Sequence, residues 1–293
     1  MPLSALALVL VAGIIHASWN ITAKKAGGDA RFALFTSVFL AIVWAPLGIW
    51  IAVDAVPGWR WQEWTMIVVT GLLHVGYYVI LLRGYRKADL TVVYPMARGS
   101  GPLLSSLVAL LFLDEKLSTL GGIGIAGVVL GVFLIAGGPK LLQTAKDPAH
   151  RQRTHIGIAY GLLTGAFIAS YTVVDGYAVK FMLMSPILVD YMGNFVRLAV
   201  LAPAWFNDRA SAAALWKQQW KYALVVGAIS PVSYVLVLYA VQLAPISHVA
   251  PAREVSMLFA AIIGGHLLKE GDQMQRLLGA LLIAAGVSAL ALG

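Results

Sequence analysis

Apolar runs about twenty residues long, repeated along nearly the whole chain, constrain this sequence more than any other feature. A helix rises about 1.5 Å per residue, so about twenty apolar residues cross the ~30 Å hydrocarbon core of a bilayer. Stretches of this kind run near 4–23, 32–53, 62–82, 90–112, 118–137, 155–178, 185–206, 220–242, 247–268 and 274–292. They predict an all-α integral membrane protein of ten transmembrane helices. The connections are short, and none is large or polar enough to form a separate soluble domain. Composition agrees: 12% of residues are charged, 60% are hydrophobic and mean hydropathy is +0.83, where a soluble domain would carry about a quarter charged residues. The chain is apolar from Leu3 and meets its first basic residue at Lys24. It therefore lacks the basic start of a secretory signal, and this stretch reads as a retained helix.

The two halves of the chain resemble one another. A shift of 156 superposes Gly71 on Gly227, Tyr78 on Tyr234, Ala88 on Ala244 and Pro95 on Pro251. A shift of 155 superposes Arg98 on Arg253, Glu115 on Glu270, Gly124 on Gly279 and Gly131 on Gly286. Glycine matches alone would mean little in membrane helices; paired tyrosines, prolines, arginines and glutamates in nearly constant register imply duplication. The expected organisation is a first five-helix repeat over 1–140, a cytoplasmic linker over 141–154 and a second repeat over 155–293. Five is odd, so the second repeat must enter the bilayer opposite to the first. That is an inverted-topology repeat, a design that places a central cavity between the halves near the midplane.

Charge placement argues the same way. Lys24, Lys25, Arg31, Arg83, Arg86, Lys87, Lys140, Lys146, Arg151, Arg153, Arg209, Lys217, Lys221, Lys269 and Arg276 all fall on one side of a ten-helix arrangement, against Arg60, Lys116 and Lys180 on the other. The positive-inside rule makes the crowded side cytoplasmic and puts both termini outside. Trp59, Trp61 and Trp64 would mark the outer interface, and Trp216 and Trp220 the inner one. The net charge of +8 is scattered through these loops, with no continuous basic stripe, so a nucleic-acid partner is not expected. With no cysteine in the chain, disulfides, thiolate metal sites and cysteine nucleophiles are excluded.

Ten helices in two fives, His-Ala-Ser-Trp-Asn at 16–20 and Pro-x-x-Arg at 95–98 together resemble the drug/metabolite transporter superfamily, specifically its EamA-type branch. The resemblance spans essentially the whole chain. It implies a secondary carrier working by alternating access, with a cavity lined mainly by helices 1, 3, 4, 6, 8 and 9. Members of the branch include exporters of amino acids and related metabolites. Such carriers are usually drawn with both termini in the cytoplasm, the reverse of what the loop charges say here.

Ionisable groups inside a membrane are expensive, which makes them functional candidates. His16, Asn20 and Lys24 share one helix face with Trp19 beside them; they line a cavity, or else Lys24 snorkels to the interface while the others bond neighbouring helices. His74 and Tyr78 lie one turn apart, with Tyr77 adjacent, and Tyr234 repeats Tyr78 in the second half. Tyr171 and Asp175 share a face from which Tyr177 points away. Asp175 either faces the cavity or couples a proton, unless it simply reaches the interface; Glu254 is the second candidate for proton coupling. Arg98 and Arg253 each follow a proline, where ring clash and the missing N–H loosen a helix, so Pro95 and Pro251 are candidate hinges. A guanidinium matches a carboxylate in two-point fashion. These arginines would hold the acidic end of a solute or, alternatively, form internal ion pairs with Glu254, Asp175 or Asp190. Tyr94, Ser100 and Ser256 are further lining candidates. Asp190, Asn194 and Arg197 satisfy one another along a single helix face in the simplest reading, and His248 and His266 lie near helix ends at the interface.

Other motifs fall away. Gly122-Ile-Gly124-Ile-Ala-Gly127 fits a dinucleotide fingerprint but lacks the preceding strand; within an apolar helix it reads as a close-packing surface, as does Gly127-x-x-x-Gly131. Gly99-Ser100-Gly101 has no nucleophile elbow around it. There is no H-E-x-x-H and no P-loop, so no metal, cofactor or catalytic group is expected and the chain is not read as an enzyme. The leading expectation is a bacterial-type inner-membrane exporter of amino acids or similar zwitterions and anions, driven by a proton gradient. A flippase for a lipid-linked sugar or phosphate and a membrane-embedded enzyme are the alternatives.

Overall fold

The computed structural model describes residues 1–27, 29–88, 90–135, 148–259 and 273–293, and every regular element among them is helical. In chain order these are α1 (Leu3–Ala26), α2 (Ala30–Val43), α3 (Ala45–Ala55), α4 (Trp61–Lys87), α5 (Leu90–Phe112), α6 (Thr119–Ile135), α7 (Pro148–Lys180), α8 (Pro186–Leu201), α9 (Pro203–Phe206), α10 (Arg209–Leu243), α11 (Ile246–Ala252) and α12 (Gln273–Leu292), with a 3-10 turn at Val56–Gly58 and helix again over 255–259. Five are long and apolar enough to cross a membrane as single spans: α1, α4, α7, α8 running on into α9, and α10. The surface is inverted relative to a soluble protein. Trp50, Leu111, Phe112 and Leu281 are exposed while Arg98, Asp175, Asn194, Arg253 and Glu254 are buried, the arrangement lipid demands.

Proline and polar ends account for the departures from the apolar runs. The expected helix over 32–53 is instead a pair, α2 and α3, bent by 66°. The bend falls at Trp44, two residues before Pro46, whose ring cannot accompany a regular turn; the Trp44 indole N–H donates to Ala228 O at 3.1 Å and holds the corner in place. α7 begins at Pro148, inside the stretch expected as linker, and α10 begins at Arg209 rather than near 220. Both extra segments are polar helix outside the apolar core, which hydropathy does not count. Asp208 caps α10 by accepting from Ser211 N at 3.0 Å. The expected helix over 247–268 is broken: α11 ends at Ala252 and residues 253–254 form a turn. Position 95 lies within the continuous helix α5, so of the two candidate hinges only Pro251 adjoins a break. His266 and Glu270, together with 141–147 of the linker, lie outside the described residues.

Contacts between the halves come in exchangeable sets. α1 packs on α10 as α4 packs on α7, and α2, α5 and α6 pack on α8, α11 and α12, which occupy the corresponding places in the second half. Corresponding helices run antiparallel. Asn194 Nδ2 donates to Ser37 O at 2.9 Å and Tyr191 Oη to Ala41 O at 3.4 Å. Arg98 reaches Glu254 at 2.9 Å, while Ser106, two turns on, reaches back to Ser247 O at 3.1 Å. The α6–α12 crossing is closest: a Cβ on Gly131 would come within 2.6 Å of Gly279 O and one on Gly279 within 2.7 Å of Gly131 O. A Cβ on Gly124 would meet Gly286 O at 2.8 Å, and one on Gly286 would meet Gly124 O at 2.7 Å. These glycines are required because two backbones occupy the space that side chains would need.

Candidate functional site

Two polar centres lie among the packed helices. The first is built where α5 meets the end of α11. Arg98 Nη2 pairs with Glu254 Oε2 at 2.9 Å and donates to Ser256 Oγ at 3.2 Å. Both partners of the ion pair are buried, so its formation removes two charges from a region that could not solvate either alone. Arg253, which corresponds to Arg98 in the second half, is equally buried, yet its Nε and Nη2 find no acceptor among the described residues. Its place in the turn after α11 carries it out of regular helix. Of the two arginines singled out by sequence, Arg98 has an ion-pair partner in Glu254 although its Nε finds no acceptor among the described residues, and Arg253 finds none there for Nε or Nη2.

The second centre sits where α4, α7, α8 and α10 converge. Asp175 is fully buried; its Oδ2 accepts the Tyr234 hydroxyl and lies 3.9 Å from His74 Nε2, and its Oδ1, with the Thr70 side chain nearby, has no hydrogen-bond partner among the described residues. His74 Nδ1 is 2.9 Å from Thr70 O. A carbonyl only accepts, so Nδ1 carries a proton and directs Nε2 toward Asp175. The His74 ring stacks on Tyr171 at 4.2 Å, and Tyr234 and Tyr77 meet Tyr171 edge-on at 6.3 and 5.9 Å. Beside them a narrow crevice that admits no water-sized sphere is lined by Thr70, His74, Asp175, Asp190, Arg197 and Tyr234 among others. Asp175 is buried among these helices.

The remaining candidates are distributed around these centres. His16 and Trp19 are half-buried with rings edge to face at 4.7 Å. The Trp19 indole donates to Ser233 Oγ at 3.2 Å, and Asn20 Nδ2 is turned back on His16 O at 2.8 Å. Tyr94 packs half-buried against the main apolar core. Tyr78 departs from its partner in the repeat: its hydroxyl donates to Asp29 O at 2.8 Å, tying α4 to the start of α2. Tyr77 takes the place beside Tyr171 instead. Both lie about one turn from His74, and the neighbouring helix selects between them. Arg197 pairs with Asp190 at 2.8 Å, but Asn194 reaches α2 rather than completing an intrahelical set. His248 is buried at the start of α11 against Ser247.

Sequence reasoning gave no role to Thr70 and treated Asp190 and Arg197 as structural, yet all three line the crevice. It also passed over a clamp at one end of the molecule. Glu115 accepts from Ile246 N at 2.7 Å and Ser247 N at 2.9 Å, and Lys180 Nζ reaches Glu115 Oε1 at 3.5 Å and Ala244 O at 3.1 Å. A carboxylate on the first N–H groups of a helix is favoured by the orphaned donors there. The clamp joins the α5–α6 connection, the end of α7 and the start of α11.

Known proteins give two findings. The family model described as the EamA-like transporter family matches residues 3–137 and 155–292. A crystal structure described only as that of a protein superposes with a TM-score of 0.70 at 16% sequence identity, covering 100% of this chain and 98% of the other, which establishes a shared fold.

Proposed function

The chain belongs to the EamA-like transporter family, membrane carriers of small molecules, and from that premise we propose a secondary-active, alternating-access exporter of amino acids or closely similar metabolites. The observation that carries this reading is Arg253, whose buried guanidinium keeps two nitrogens without an acceptor among the described residues. An unsatisfied buried donor costs about 1–3 kcal/mol, more for a charged group, so a carboxylate arriving from outside is strongly favoured there. Arg98 completes the electrostatic setting but is committed to Glu254. His16, Trp19, Asn20 and Tyr94 from the first half and Tyr171 and Tyr234 from the second would contact the organic part of the solute, with His74 adding a hydrogen bond.

Ten spans in two inverted fives are the architecture this mechanism needs. Five long apolar helices, a bent pair that forms a sixth, the shorter apolar α6 and α12, and antiparallel contacts between corresponding helices support it. The loop charges favour a bacterial inner membrane with both termini outside and residues 141–154 facing the cytoplasm.

Counter-flow in proteoliposomes tests the proposal. Purified protein preloaded with unlabelled amino acid is expected to accumulate at least one member of a labelled panel, and Arg253→Ala is expected to lower that flux by about tenfold or more, the loss of a charge-assisted contact. A full panel with no counter-flow would overturn the carrier reading; an unchanged rate in Arg253→Ala would remove Arg253 from the site.

A further inference from the structure

We propose that the crevice between α4, α7, α8 and α10 is a proton site, in which Asp175 takes up and releases the proton that drives transport. The inference rests on the carrier reading above and assigns its coupling group. Three buried carboxylates lie near the two centres. Glu254 faces Arg98 at 2.9 Å and Asp190 faces Arg197 at 2.8 Å, each beside a permanently charged guanidinium that favours the ionised form. Asp175 has no guanidinium paired with it among the described residues. The groups around it are Tyr234 from α10, Thr70 and His74 from α4, Tyr171 from its own helix, and the already paired Asp190 and Arg197 from α8. A carboxylate with one fully buried, unpartnered oxygen is best relieved by protonation.

The histidine geometry leads to the same place. With Nδ1–H committed to Thr70 O at 2.9 Å, a neutral His74 turns a bare Nε2 lone pair toward Asp175 Oδ2 at 3.9 Å. Two acceptors facing each other repel unless a proton belongs to one of them. The pair therefore holds one proton, as a carboxylic acid beside neutral imidazole or as carboxylate beside imidazolium. The crevice in this conformation admits no water-sized sphere. A proton is the ligand that enters without the helices moving apart. Tyr234 donates to Oδ2 throughout, and on release of the proton the unpartnered Nε of Arg197 is the nearby donor that can turn to the new carboxylate.

The test uses the full-length protein in lipid and two readouts. The first is the pH-dependent infrared band of a protonated carboxylic acid, expected in the wild type, displaced in Asp175→Glu and missing in Asp175→Asn. The second is the ratio of net flux with an imposed pH gradient to flux without one, using the labelled amino acid of highest counter-flow. That ratio is expected to fall to about one in Asp175→Asn and to survive in Asp175→Glu. A band unaffected by either Asp175 substitution, or an Asp175→Asn protein that keeps the wild-type ratio, would overturn the assignment. The band is read without transport, so a protein that shows it but moves no solute retains the proton site and loses the carrier reading. If Asp175→Asn does not fold, the Asp175→Glu displacement still decides.

Discussion

The α6–α12 crossing and the α5–α11 contact pair corresponding helices of the two halves, and they behave in opposite ways. At the first, Gly124 meets Gly286 and Gly131 meets Gly279, so exchanging the halves leaves the contact nearly unchanged. At the second, Arg98 pairs with Glu254, whereas Nε and Nη2 of Arg253 find no acceptor among the described residues, and α5 runs through position 95 where α11 stops beyond Pro251. A crossing filled by backbone has one solution, and both copies adopt it. A polar contact in a dry interior can be satisfied once by a single glutamate, and the second arginine is left for something else. Symmetry holds where backbone packs on backbone and lapses where buried polar groups must find partners.

Substitutions can break this contrast. The largest effect is expected from Arg98→Ala, which strands Glu254 in the interior; a loss of about 3–5 kcal/mol should appear as collapse of the monodisperse peak in detergent, with recovery in the Arg98→Met, Glu254→Gln double variant. A double variant no better than Arg98→Ala would mean that the pair is not what fails. Next comes Gly131→Ala at the seam, about 1–3 kcal/mol from overpacking against Gly279 O, and Gly279→Ala should match it in a thermal melt because the two contacts are images of each other. Unequal melts would show the seam to be asymmetric after all. Glu115→Gln weakens the clamp on α11 by about 1–2 kcal/mol, with Lys180→Met producing a smaller shift in the same melt. The smallest change is expected at the two corresponding tyrosines. Tyr78→Phe loses one hydrogen bond to Asp29 O, about 1 kcal/mol, with flux unaffected, whereas Tyr234→Phe should alter the dependence of flux on the pH gradient.

Much of this was legible in the chain, for identifiable reasons. The apolar runs mark α1, α4, α5 and α8 closely because lipid demands continuous hydrophobicity. They miss the first turns of α7 and α10, which are helical but polar, and they cannot show the corner at Trp44, since Pro46 says that a helix breaks but not by what angle. Arg98, Asp175 and Tyr171 were found because a buried polar group in an apolar helix stands out. Tyr77 was passed over for Tyr78 because a repeat match was a stronger signal than helical projection, which places both about one turn from His74. Thr70 carried no signal at all; a threonine in an apolar helix is unremarkable until its carbonyl orients a histidine.

Length, hydropathy and internal repetition determined by themselves that this is a multi-pass membrane protein of two related halves, because the cost of exposing polar backbone to lipid acts along the chain and is read residue by residue. Which arginine is neutralised, which tyrosine reaches Asp175 and which carboxylate is left without a cation were decided only in the tertiary structure. Those choices depend on which groups from distant helices come within about 3 Å of one another, a distance at which a hydrogen bond or ion pair either forms or does not, and no local pattern encodes it.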